Sequence, residues 1–222
     1  MLKKNSQTKC RTSSIKNIVN IIAFASASML GLANVHAADA EKGSQLGQTC
    51  MGCHAAPGLR NPGPVYNIPM IGGQHAEYIV SALKAYKNGE RKHGTMVAQA
   101  ASLSDSDMAD IAAFFAEMDG NSRPGLSSDA LIAKGKEKAA SCAACHGATG
   151  DAPTSAFPKL AGQYNSYLVQ ALKDYRSGDR NNLIMSGQAK TLTIRDIEAL
   201  SAYFSSQQGG LSAPQAKIFK KF

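Results

Sequence analysis

Four cysteines and two histidines carry the most specific chemical signal in this chain. Cys50 and Cys53 are followed at once by His54, and Cys142 and Cys145 by His146. Cys-x-x-Cys-His is the pattern in which two thiols form thioethers to the vinyl groups of a haem while the histidine ligates the iron. The spacing has a physical reason. Residues three and four apart lie on one face of a helical turn, so both sulfurs reach one porphyrin edge and the imidazole projects onto its face. Zinc would want two Cys-x-x-Cys knuckles about 15 to 20 residues apart, whereas Cys53 and Cys142 are far more distant. A thioredoxin-like redox pair would want a strand-helix-strand context. The expected cofactors are therefore two haem c groups, each with its iron.

The remaining axial ligand is found by comparing the chain with itself. Residues Ile68 to Phe115 align without gaps on Phe157 to Phe204, at an offset of 89, with about 18 of 48 positions identical. Pro69, Gly73-Gln74, Tyr78, Tyr86, Gly89, Arg91 and Met96 recur as Pro158, Gly162-Gln163, Tyr167, Tyr175, Gly178, Arg180 and Met185. After His146 the second unit holds no histidine and one methionine, Met185. The repeat pairs it with Met96, which selects Met96 over Met70, Met108, Met118, His75 and His93. An isolated methionine usually packs a core; recurrence at matched places favours ligation. Met96 and Met185 are the expected sixth ligands, opposite His54 and His146, and sulfur ligation raises the reduction potential.

These residues need elements to position them. At the cysteine motifs the offset becomes 92, so the first unit carries three extra residues near Arg60-Asn61-Pro62-Gly63-Pro64. Each unit is expected to enter its cysteine motif through a helix, from about Ala40 or Asp129. A Pro- and Gly-rich loop follows. In the helix from Ala76 to Asn88, Ile79, Leu83 and Tyr86 fall on one face, and Gly89 or Gly178 closes it as a left-handed cap. An irregular loop is expected to carry Met96 or Met185. The last helix opens with a capping box, Ser104 with Asp107 or Thr193 with Asp196. No alternating strand pattern is sustained, so the fold class is all-α: two tandem units, each wrapped around one covalent haem. Such small units, without Trp, would form modest cores unaided; a buried macrocycle supplies the rest.

The organisation expected is a leader at 1–37, a first domain at 38–119, a linker at 120–128 and a second domain at 129–222. Lys3, Lys4, Lys9, Arg11 and Lys16 precede an apolar run from about Ile18 to Leu32. That is the layout of a secretory signal peptide, cleaved near Ala37, with an uncleaved anchor as the alternative. The leader holds five of the 24 basic residues, which leaves 19 against 16 acidic ones. About four haem propionate charges would bring the exported chain near neutrality. Nothing supports nucleic-acid binding. Lys217, Lys220 and Lys221 cluster at the C-terminus as a solvated tail or a dock for an acidic partner.

As a set, Cys142-x-x-Cys145-His146-Gly147, Pro158-x-Leu160-x-Gly162-Gln163, Tyr167-Leu168, Gly178-x-Arg180, Met185 and Tyr203-Phe204 resemble the class I cytochromes c. The tandem arrangement resembles the dihaem cytochrome c4 family, over essentially the whole exported chain. The resemblance implies that the carbonyls of Pro158 and Pro69 accept a hydrogen bond from the ligand imidazoles; a proline that merely stiffens the loop is the alternative. It implies domains packed face to face with propionates near their interface. Arg91, Arg180, Tyr78 and Tyr167 are candidates to meet them, against an ordinary reading as surface Arg and core Tyr. The function implied is periplasmic electron transfer, not enzyme catalysis, between a quinol-oxidising complex (a quinol:cytochrome c reductase) and a terminal haem-copper oxidase. Any membrane association would come through those partners. The alternatives are a haem-bearing subunit of a dehydrogenase and a dihaem peroxidase, the latter needing an open iron position.

Overall fold

The computed structural model describes residues 37–120 and 125–213. Residues 1–36, where most of the expected leader falls, Asn121 to Pro124 of the expected linker, and residues 214–222 with the C-terminal lysines lie outside the described residues. The fold is helical, as the periodicity requires. In the first half, α1 (Ala40–Leu46) and α2 (Gln48–His54) lead into the cysteine motif, and α3 (Ala76–Lys87), α4 (Gly94–Ala101) and α5 (Asp105–Ala116) follow. The second half repeats this order with α6 (Asp129–Lys138), a 3-10 turn at Ala139–Ser141, α7 (Ala143–His146), α8 (Asn165–Ser177), α9 (Leu183–Lys190) and α10 (Ile194–Ser206). Among the described residues no helix is long and apolar enough to cross a membrane.

Two departures from the sequence reading concern the loops. The residues around the insertion form a small antiparallel ribbon, β1 (Arg60–Pro62) against β2 (Val65–Asn67). Met96 and Met185 sit in helices rather than irregular loops. His93 caps α4 by accepting from the Met96 amide at 3.3 Å, and Asn182 caps α9 by accepting from the Met185 amide at 3.0 Å. Different side chains at matched positions thus play the same part, since each takes up an otherwise unsatisfied amide of the first turn. The expected capping boxes at Ser104 and Thr193 are both formed.

In each half the first helix crosses the last at a glycine. A side chain on Gly43 would run into the Asp110 carbonyl, and one on Gly135 into that of Ala199. Close approach lets Met51, Ile79, Leu83, Met108, Ile111 and Phe115 pack as one core, and Leu168, Leu200, Tyr203 and Phe204 as the other. The first crossing carries an extra tie: the buried Asp110 carboxylate accepts from the Asp39 amide at 2.8 Å and from Lys42 Nζ at 2.7 Å.

The halves meet through reciprocal bonds, as an approximate two-fold axis demands of a duplicated chain. The Lys92 amide donates to the Asp179 carbonyl at 2.9 Å, and the equivalent Asn181 amide to the Glu90 carbonyl at 2.6 Å. Arg91 and Arg180 pair between these bonds, so they lie on the axis. A further antiparallel contact joins Gly72 to Ser212, tying the end of the described chain to the first half.

Candidate functional site

The cysteine motifs lie at helix ends, where the spacing of their ligands requires them. Cys50, Cys53 and His54 share α2; Cys142 immediately precedes α7, which carries Cys145 and His146. None of these four cysteines forms a disulfide. Burial pushes the Cys50 and Cys142 thiols up from their ordinary value, which keeps them protonated at neutral pH. Cys50 and Met96 pack against the same core, and Cys142 lines the core of the second half.

Both imidazoles are oriented by backbone. His54 Nδ1 lies 2.7 Å from the Pro69 carbonyl oxygen, and His146 Nδ1 lies 2.9 Å from that of Pro158. A carbonyl can only accept, so Nδ1 carries the proton in each ring and Nε2 is left with its lone pair. Burial lowers the pKa of both histidines, while the proline carbonyls pull it back up in part. A neutral imidazole with a fixed tautomer and a free Nε2 is what iron ligation needs. The donor set therefore fits a covalent haem: free thiols and a directed imidazole on one helical turn, and a thioether on a separate capped helix.

The structure revises the environment of the two arginines. Arg91 and Arg180 are each only 6 % exposed, not at the surface. Arg91 stacks on Tyr86 at 4.6 Å and Arg180 on Tyr175 at 5.1 Å, equivalent pairings within each half. Both guanidinium groups donate to one hydroxyl, that of Tyr167, at 3.3 and 2.9 Å. Arg91 Nε is buried without a partner among the described residues. The Asp174 carboxylate feels both guanidinium groups and lines the same site, so part of their positive charge is opposed within the protein.

Two residues beside the site are visible in sequence as the recurring Gly73-Gln74 and Gly162-Gln163 pairs, but with no role attached. Gln74 and Gln163 are 4 % and 3 % exposed, and each reaches across to the backbone of the opposite half. Their only signal in sequence is a polar residue repeated beside a glycine, which carries no information about contact with the other half.

Two haem-attachment motifs on helix ends, each facing a proline carbonyl within a repeated helical unit, define a tandem c-type cytochrome. The cytochrome c family pattern matches the chain twice, at residues 40–119 and 132–208. Cytochrome c4 of Pseudomonas aeruginosa is 36 % identical over 187 residues, covering 79 % of this chain and 91 % of that protein. The crystal structure of reduced recombinant cytochrome c4 from Pseudomonas stutzeri superposes with a TM-score of 0.67 at 34 % identity, covering 77 % of this chain and all of that one. A thiosulfate dehydrogenase structure from Marichromatium purpuratum matches with a TM-score of 0.65 at 27 % identity, covering 75 % of this chain and 40 % of that one. This chain belongs to the cytochrome c4 family: it is a dihaem electron-transfer protein with two covalent haem c groups, a carrier and not an enzyme.

Proposed function

We propose that Cys50 and Cys53 hold one haem and Cys142 and Cys145 the other, with His54 and Met96, and His146 and Met185, as the axial pairs. The hydrogen bonds from Nδ1 to Pro69 and Pro158 carry this reading, because they aim a neutral imidazole lone pair beside each thiol pair. A haem so held supplies a one-electron iron couple. The protein's own residues set its properties. The proline carbonyls fix the imidazole tautomer, and the methionine thioethers would favour the reduced state relative to a second imidazole. With both axial positions filled, no site remains for substrate.

The domain limits that accompany this reading are 38–119 and 129–222 joined by 120–128, after a leader cleaved near Ala37 for export to the periplasm. The physiological role that follows is transfer from a quinol-oxidising complex to a terminal oxidase. Service as a haem-bearing electron-transfer subunit of a dehydrogenase is the second reading, favoured by the likeness to part of a thiosulfate dehydrogenase structure.

The test is a pyridine haemochrome assay with a search for the iron–methionine charge-transfer band in chain expressed with haem-maturation machinery. Two covalent haems per chain and a band halved in Met96→His and in Met185→His are expected. A colourless folded protein with four free thiols would overturn the assignment. Mixing the carrier with candidate reductants in stopped flow separates the partner readings, since rapid reduction by a dehydrogenase and not by a quinol-oxidising complex selects the second.

A further inference from the structure

The peptide group between Pro69 and Met70 is bonded on both sides. Its carbonyl accepts from His54 Nδ1 at 2.7 Å, and its N–H donates to Gln163 Oε1 of the opposite half at 3.0 Å. The peptide between Pro158 and Lys159 does the same in reverse: its carbonyl accepts from His146 Nδ1 at 2.9 Å, and its N–H donates to Gln74 Oε1 at 2.9 Å. Each glutamine is locked in place. Oε1 also accepts from the next amide of its own half, His75 or Tyr164, both at 3.0 Å. Nε2 donates to the Lys159 carbonyl at 3.1 Å or the Met70 carbonyl at 2.9 Å. Two N–H groups converge on one end of each amide and a carbonyl on the other, so the amide orientation follows from its partners.

We propose that Gln163 and Gln74 are cross-domain positioning residues that tune the opposite haem, each polarising the single peptide group that holds the other half's ligand imidazole. This rests on the assignment of His54 and His146 as axial ligands. The peptide bond is a resonance system, so electron density that an acceptor at the N–H pushes onto nitrogen is passed on to the carbonyl oxygen. An acceptor on the N–H therefore strengthens the carbonyl as an acceptor, and hydrogen bonds in such a chain reinforce one another by roughly 10–30 %. A stronger acceptor at Nδ1–H makes the imidazole a better donor to iron, which favours Fe(III) and lowers the reduction potential. The crossed wiring means that a change at the interface in one domain is read at the iron of the other.

The experiment is a spectroelectrochemical titration of the haem-loaded chain, with each couple assigned from the hyperfine-shifted methionine methyl signals of the two irons. Gln163→Met, which fills the space without an acceptor, is expected to favour reduction of the first-domain haem by about threefold, or about 30 mV at about 59 mV per decade, and to leave the second-domain haem unchanged. Gln163→Glu restores an acceptor and returns that potential to the parent value or below. Gln74→Met gives the mirror result on the second-domain haem and stands as the independent readout if the Gln163 variants do not fold. A shift confined to the substituted domain, equal shifts of both haems, or no shift would overturn the relay. If the parent itself lacks imidazole–thioether spectra, the ligand assignment fails and the relay with it; normal parent spectra with silent variants sink the relay alone.

Discussion

Arg91 and Arg180 face each other in an antiparallel bridge on the approximate two-fold axis, each 6 % exposed. Two buried like charges are costly unless neighbours or ligands compensate them. Stacking on Tyr86 and Tyr175 and the shared Tyr167 hydroxyl provide part of that compensation. Because the pair lies on the axis, its charge acts on both halves alike. A unit charge ~10 Å away at an effective dielectric of about 20 is worth about 1.7 kcal/mol. Replacing either arginine by leucine should therefore lower both reduction potentials by tens of millivolts, measured by redox titration. A change at one haem alone would contradict the symmetric placement.

Tyr167 breaks that symmetry. Its hydroxyl accepts from both arginines, whereas its repeat partner Tyr78 makes no hydroxyl hydrogen bond among the described residues. Burial alone would push the Tyr167 hydroxyl up, but Arg180 and Arg91 outweigh it and hold its pKa below the ordinary 10. Tyr167→Phe leaves two buried donors without their acceptor and should cost about 1–3 kcal/mol. Tyr78→Phe should cost distinctly less. Urea denaturation of the two variants side by side checks the order.

The parts of this fold legible in sequence were those with local causes. Ile79, Leu83 and Tyr86 mark the face of α3, and the Ser104 and Thr193 boxes mark the starts of α5 and α10, because capping and periodicity act within a turn or two. The helices carrying Met96 and Met185 were not legible: they are eight residues long, and the first is capped by His93, an uncommon cap. The ribbon at Arg60–Pro62 was hidden for a different reason, since three-residue strands leave no alternation to detect. Gln74 and Gln163 were identical in the repeat yet silent, because their partners lie 85 and 93 residues away.

The second capping box makes a pH prediction. Asp196 accepts from the Thr193 hydroxyl at 2.7 Å and the Thr193 amide at 3.0 Å, and pairs with Lys138 Nζ at 3.0 Å. Those partners, the Thr193 hydroxyl first, bring its pKa from 3.8 to about 2. A depressed carboxylate stabilises the folded state fully above the unfolded pKa, and loses that contribution as pH falls from about 4 to about 2. Asp196→Asn should flatten this segment of the stability-against-pH curve. Thr193→Ala should cost about 1 kcal/mol at neutral pH, read as a lower urea midpoint with an unchanged slope.

Two glycines of the second half give predictions of opposite sign. Gly135 lies where α6 crosses α10, and an added methyl group would meet the Ala199 carbonyl and, at 2.6 Å, Tyr203 Cβ. Neither is the free end of a flexible chain, so the helices must separate. Gly135→Ala should destabilise by about 1–3 kcal/mol. Gly187 lies inside α9 with nothing within 4 Å of an added methyl group, and its repeat partner is Ala98. Gly187→Ala should gain roughly 0.5–1 kcal/mol, because glycine gives up more backbone freedom on entering a helix. Thermal denaturation of the two haem-loaded variants decides the matter. A neutral Gly135→Ala would show that the helix crossing does not need the close approach that places the cysteine motif at its end.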